Sequence, residues 1–145
     1  MNPIMHARLS RILRAPYVGK GASEETLNRM MEVAGYRLPE DYLEFMRETN
    51  GYNGEVGPLG YVCIWPVEEI AETNMATHFR EWVPGLVLFG SNEGGEYFAF
   101  DMRNSPPNVV KVPGIPLTME HAVSAGETFV AFLERLALST EDDNK

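Results

Sequence analysis

The residues best placed to do chemistry in this 145-residue chain lie in the run Gly90-Ser91-Asn92-Glu93-Gly94-Gly95. A glycine-rich loop cradles phosphate when it leads from a strand into a helix, whose free N–H groups then face the anion. Here Glu96-Tyr97-Phe98-Ala99-Phe100-Asp101 follows and reads as a strand, no lysine accompanies the loop, and Glu93 would repel a phosphate. A nucleotide cradle is therefore rejected. Metal chemistry finds no better support. His6, His78 and His121 are scattered without ligand spacing. Glu93, Glu96 and Asp101 lack the spacing of a calcium loop and read as a solvated carboxylate edge. The single cysteine, Cys63, excludes an internal disulfide and a thiolate-rich zinc site. It sits among Tyr, Val, Ile and Trp, where a thiol usually serves as a small buried hydrophobe. There is no Gly-x-Ser-x-Gly elbow, and nothing selects a working pair from the 21 acidic residues. The enzyme reading therefore has no positive support from these residues, and no metal or cofactor is expected.

Charge says more. Twelve Lys+Arg against 21 Asp+Glu leave a net charge of −9. The excess is uneven: residues 1–37 are net basic and the remainder strongly acidic. An acidic body is repelled by nucleic acid and by anionic lipid, both of which are bound through Lys/Arg neutralisation. A charged macromolecular partner is therefore expected to be basic, although excess carboxylates also serve solubility. The length suits one domain over 1–145 that can bury roughly 70% of its unfolded surface. No apolar stretch is long enough for a bilayer, and the first residues lack the uninterrupted apolar core of a secretion signal, so a cytoplasmic location is expected.

The elements that must position these residues can be read from periodicity. Met5, Leu9, Ile12 and Leu13 share one face of a first helix, which Pro16, Gly19 and Gly21 end. Ser23 caps a second helix striped by Leu27, Met30, Met31 and Ala34 and stopped at Gly35. A third starts with Pro39 at its first position, buries Tyr42, Phe45 and Met46, and ends at Asn50-Gly51. A fourth follows Pro66, with Val67, Ile70, Ala71 and Asn74 at helical spacing. A capping box of Ser124 and Glu127 opens a last helix striped by Phe129, Phe132, Leu133 and Leu136, and the tail from Thr140 frays. Strands are expected at Tyr61–Trp65, Leu86–Phe89, Glu96–Asp101 and Asn108–Val112, the last three forming an antiparallel meander. Phe98 and Phe100 face the core and Tyr97 is the more exposed; Trp65 and Trp82 are assigned to core packing. The fold class is α+β, a mostly antiparallel sheet packed by helices from both ends of the chain.

Two segments carry a resemblance. Leu38-Pro39-Glu40-Asp41-Tyr42-Leu43-Glu44-Phe45, ending in Asn50-Gly51, and Phe89-Gly90-Ser91-Asn92-Glu93-Gly94-Gly95 through Asp101 resemble the SUKH superfamily, which includes the fungal Smi/Knr cell-wall-assembly regulators. Glu127 to Leu133 is similar to that family's terminal helix, so the likeness runs from about Ser23 to Leu138 and leaves residues 1–21, a helix and linker, outside it. The resemblance implies an α+β fold without catalytic residues. It further implies, for bacterial members, an immunity protein that occludes a toxin domain, often a nuclease or deaminase. A regulatory or scaffold module is the alternative, with an enzyme or small-molecule binder ranked last. The expected partner is a basic protein toxin domain, not nucleic acid or membrane, and the protein a monomer or weak dimer. The contact surface is expected on the loop after the third helix (Tyr52, Asn53, Glu55) and on the hairpin loop and its edge (Asn92, Glu93, Glu96). Gly51, Gly90, Gly94 and Gly95 are assigned to turn geometry.

Overall fold

A computed structural model describes residues 2–14, 20–58, 60–75 and 81–138. Its centre is a six-stranded sheet in which every neighbour is antiparallel and spatial order follows chain order. The strands are β1 (Tyr52–Val56), β2 (Gly60–Ile64), β3 (Leu86–Ser91), β4 (Glu96–Asp101), β5 (Asn108–Pro113) and β6 (Val123–Gly126). Helices α1 (Pro3–Ser10), α2 (Glu24–Ala34) and α3 (Glu40–Thr49) precede it, α4 (Val67–Met75) lies between β2 and β3, and α5 (Phe129–Leu138) closes the described chain. The fold is α+β, as expected, with β1 and β6 added at the two edges. None of the described helices is long and apolar enough to cross a membrane.

The alternation of the strands gives the sheet two different faces. Val56, Ile64, Val87, Phe89, Phe98, Phe100 and Val109 join the main core with Leu27, Tyr42, Phe45, Phe129 and Phe132 of the helices. Leu86, Leu88, Ala99, Val110 and Val112 turn the other way and are covered by Val83 and Leu117. At the centre of the main core, the Tyr42 ring lies 5.1 Å from Phe100, 5.3 Å from Phe129 and 5.9 Å from Phe89. One aromatic side chain thus joins α3, α5, β3 and β4.

The structure also explains the Leu38–Phe45 segment as a joint. Pro39 is the N-cap of α3 rather than its first helical residue, so the helix starts one position later than expected, at Glu40. The Asp41 carboxylate accepts from the Tyr42 N–H at 2.8 Å and from the Val130 N–H of α5 at 3.0 Å. Burial raises the Asp41 pKa, while the backbone donors oppose that rise. The first turn of α5 is completed by Thr128, whose hydroxyl accepts from the Ala131 N–H at 3.0 Å. The expected Ser124–Glu127 box does not form, because Ser124 pairs with Val110 as part of β6. Ser23 and Gly35 do cap α2 as expected. The first helix is shorter than its apolar spacing suggested: it ends at Ser10, and Leu13 bridges to Val56 of β1.

Among the described residues, the Tyr42 hydroxyl meets no hydrogen-bond partner although it is fully buried. A buried hydroxyl without a partner costs about 1–3 kcal/mol. Tyr42→Phe keeps the ring contacts and removes that cost, so it is expected to raise the unfolding free energy by about 1 kcal/mol. Denaturant unfolding of the two proteins checks this; a loss of stability would show that the hydroxyl has a partner.

Candidate functional site

The candidate site is the end of the sheet where the β1–β2 ribbon, the β3–β4 hairpin and α4 meet. Register places Asn53 opposite Cys63, Cys63 opposite Ser91 and Ser91 opposite Tyr97, a row crossing four strands. Residues directly opposite share a face, so all four lie on the face away from the main helices. Glu55 and Tyr61 form the next pair on that face, and both are exposed. The Tyr61 hydroxyl donates to Asn53 Oδ1, and Trp65 packs edge-on against Tyr97 at 5.9 Å.

Helix α4 is fixed beside this row by two asparagines. Asn50, at the left-handed end of α3, accepts from the Val67 N–H with Oδ1 at 2.9 Å and donates from Nδ2 to Glu68 at 3.1 Å. The residue that stops one helix therefore starts the next. At the other end, buried Asn74 donates to the Leu88 carbonyl and accepts from the Leu88 N–H, both at 2.9 Å, where β3 bulges. The helix anchored this way has the sequence Val67-Glu68-Glu69-Ile70-Ala71-Glu72-Thr73-Asn74-Met75, with three exposed glutamates and no basic residue.

The hairpin brings a further carboxylate to the same place. Asn92 Oδ1 accepts from the Gly94 N–H at 2.8 Å and the Glu96 N–H at 3.1 Å, closing the turn. Exposed Glu93 takes a left-handed conformation at φ 61° and faces Cys63. Burial pushes the Cys63 thiol up to about 11, and Glu93, hydrogen-bonded to it, and Glu69 add to the rise. Two carboxylates from separate elements thus act on one sulfur.

The six expected contact residues do not form one surface. Tyr52, Asn53 and Glu55 lie on β1 and not in a loop: the chain re-enters the sheet immediately after Gly51. Asn53 and Glu55 stand on the open face, with Glu93 nearby at the hairpin tip. Tyr52 and Glu96 stand on the opposite face, since Tyr52 packs against the main core and Glu96 pairs at 3.7 Å with Lys111, the register partner of Phe98. Asn92 is spent within its turn, donating also to Glu96 at 2.9 Å. Among the glycines, Gly51 and Gly95 have positive φ, 119° and 97°. Gly90, by contrast, is a strand residue: a Cβ there would sit 2.3 Å from the Cys63 carbonyl, so the close approach of β2 and β3 requires glycine. Gly94 does not take the positive φ; Glu93 does. Trp82 is 56% exposed and Trp65 half-buried, so the expected core placement fails for Trp82.

The glutamates of α4 had a signal in the sequence. Residues 48–102 carry Glu48, Glu55, Glu68, Glu69, Glu72, Glu81, Glu93, Glu96 and Asp101 but a single basic residue, Arg80. On the helical side, acids and arginines are interleaved: Arg47 pairs with Glu24 and Glu40, Arg29 with Glu25, and Arg8 with Glu134. Among the described residues, no group of three or more His, Cys, Asp or Glu side chains is arranged to hold a metal ion.

The fold and site define an α+β domain in which a six-stranded antiparallel meander carries helices on one face, α4 among them through Val67 and Ile70, and leaves Asn53, Glu55 and Tyr61 exposed on the other. The chain belongs to the SMI1 / KNR4 family (SUKH-1), which matches residues 21–135. A comparison with curated proteins returns no match to the chain.

A thiol with a pKa of about 11 is almost wholly protonated at pH 8, so Cys63 alkylation there should run on the order of a hundredfold slower than for a free cysteine. The rate should climb with pH until about 11. Glu93→Gln removes the nearest negative charge and should shift that profile to lower pH. An unchanged profile in the variant would show that Glu93 does not face the sulfur.

Proposed function

We propose that this protein is a non-catalytic inhibitor, an immunity protein that binds a basic toxin domain of the nuclease or deaminase type and covers its substrate cleft. The observation that carries the reading is the placement of Glu55, Glu68, Glu69, Glu72 and Glu93, all exposed, on the elements that meet at one end of the sheet. An enzyme that acts on nucleic acid binds phosphates through Lys and Arg, so carboxylates held on a rigid frame can take their place. The sign is right. The geometry also suits the task, because α4 and the hairpin are fixed by backbone-directed bonds from Asn50, Asn74 and Asn92 and need little ordering on binding. Membership of the SMI1 / KNR4 family supports a protein-binding role.

Charge of this kind governs encounter more than final affinity. Complementary fields raise association rates to as much as about 10⁸–10⁹ M⁻¹s⁻¹ at low salt, and added salt removes most of that gain. The reading places the function in the cytoplasm, where an inhibitor must meet its target before the target meets nucleic acid.

The test uses candidate basic toxin domains, those encoded beside this chain's gene first. Stopped-flow association should be fast at low salt and slow steadily as salt rises. The combined variant Glu69→Lys, Glu72→Lys and Glu93→Lys should fold normally, associate about tenfold or more slowly, and lose most of its salt dependence. The proposal fails if no complex forms at low salt, or if the triple variant associates at the wild-type rate.

A further inference from the structure

The outer edge of β1 is where a strand could still be added to the sheet, and the chain itself already holds part of it. Ile12 accepts from the Gly57 N–H through its carbonyl at 2.6 Å, and Leu13 forms an antiparallel bridge with Val56. The Arg14 N–H donates to the Tyr52 hydroxyl at 3.0 Å, and its guanidinium pairs with Glu55 at 3.1 Å. The Tyr52 hydroxyl in turn donates to the Glu55 carbonyl at 2.6 Å, satisfying an acceptor of the strand backbone with a side chain. The segment that does this lies outside the family match, which begins at residue 21. Its charge is opposite to that of the strand it meets: residues 1–20 contain Arg8, Arg11, Arg14 and Lys20 and no acidic residue.

We propose that the β1 edge is a strand-pairing surface for a basic, extended segment of a partner protein, and that residues 11–14 occupy it as a displaceable stand-in. The seated segment reveals the chemistry the edge accepts. It needs an extended backbone to meet Val56 and Gly57, an apolar side chain in the position of Leu13, which is 5% exposed, and a cation opposite Glu55. The hold is local: one backbone bond, the Arg14 contacts with the Tyr52 hydroxyl, and Leu13 and Ile12 packed against the core; the Arg14–Glu55 pair has both side chains more than 60% exposed, where an ion pair contributes little. An unpaired edge invites aggregation, and a short basic cover that yields to the right partner resolves that hazard. The inference deepens the proposed inhibitor reading, from which it takes the sign of the partner's charge, and adds where and in what conformation that partner pairs.

The test needs no toxin, so its failure leaves the inhibitor reading standing, while salt-independent toxin capture would sink that reading and leave the edge. Amide hydrogen exchange is followed in the full-length protein, in Arg14→Glu and in Leu13→Ala. Exchange at Val56 and Gly57 should quicken a few-fold in Arg14→Glu and at least tenfold in Leu13→Ala, with Ala99 and Val110 unchanged. A synthetic peptide copying residues 8–14, added to Leu13→Ala, should restore protection at Val56 and Gly57, and a peptide with its arginines replaced by glutamate should not. Unchanged exchange in both variants overturns the proposal. So does loosening that spreads to Ala99 and Val110, which would make the segment an integral part of the sheet, or equal protection by the two peptides.

Discussion

The placement of helix α4 and its glutamates depends on a side-chain amide bonded to a strand backbone. Helix α4 has nine residues, too few to persist alone, and three of them repel one another. Asn74 secures it by donating to and accepting from Leu88 at the bulge of β3, where the ladder has left a carbonyl and an N–H to be satisfied. Both groups are buried, and losing the amide would strand them at a cost of about 1–3 kcal/mol each. Asn50 holds the other end of the helix through the Val67 N–H. With its two ends fixed, α4 keeps Glu68 at the Asn50 amide and Glu69 within reach of Cys63.

Elsewhere the same charges are disposed differently. On α2 and α3, Glu24, Glu25 and Glu40 pair with Arg47, Arg29 and Arg37, and such exposed pairs contribute little. Asp101 is buried against Arg103, which holds its carboxyl below the usual range; that pair serves the β4–β5 turn. The net charge of −9 gives the sign of the molecule, and partners are found at both ends: Arg14 also pairs with Glu55 and Asn50 bonds Glu68.

Much of the frame was legible because its signals are local. Ser23, Gly35 and Asn50 mark helix ends through their own backbone preferences, and the aromatic alternation of Glu96–Asp101 announces a strand. β1 and β6 were not legible. Tyr52-Asn53-Gly54-Glu55 has the composition of a turn, and it is a strand only because β2 pairs with it residue for residue. Val123–Gly126 likewise exists through β5, which is why Ser124 is unavailable as a cap and Thr128 takes that place. Of the expected contact residues, Asn53, Glu55 and Glu93 gather at the open face and hairpin tip and three do not, since face assignment follows a register that only the fold supplies. The α4 glutamates were within reach of the sequence: a stretch of 55 positions with nine acids and one arginine is a stronger sign than any of the loops.

A hydrogen-exchange footprint of a complex with a candidate basic toxin domain tests the central proposal most directly. The account predicts slowed exchange in β1 and β2, in the first turns of α4 and in the hairpin around Glu93, with β5 and β6 unaffected. Protection confined to β5, β6 or the exposed Trp82 and Ile115 region, with the carboxylate-bearing end exchanging freely, would contradict it.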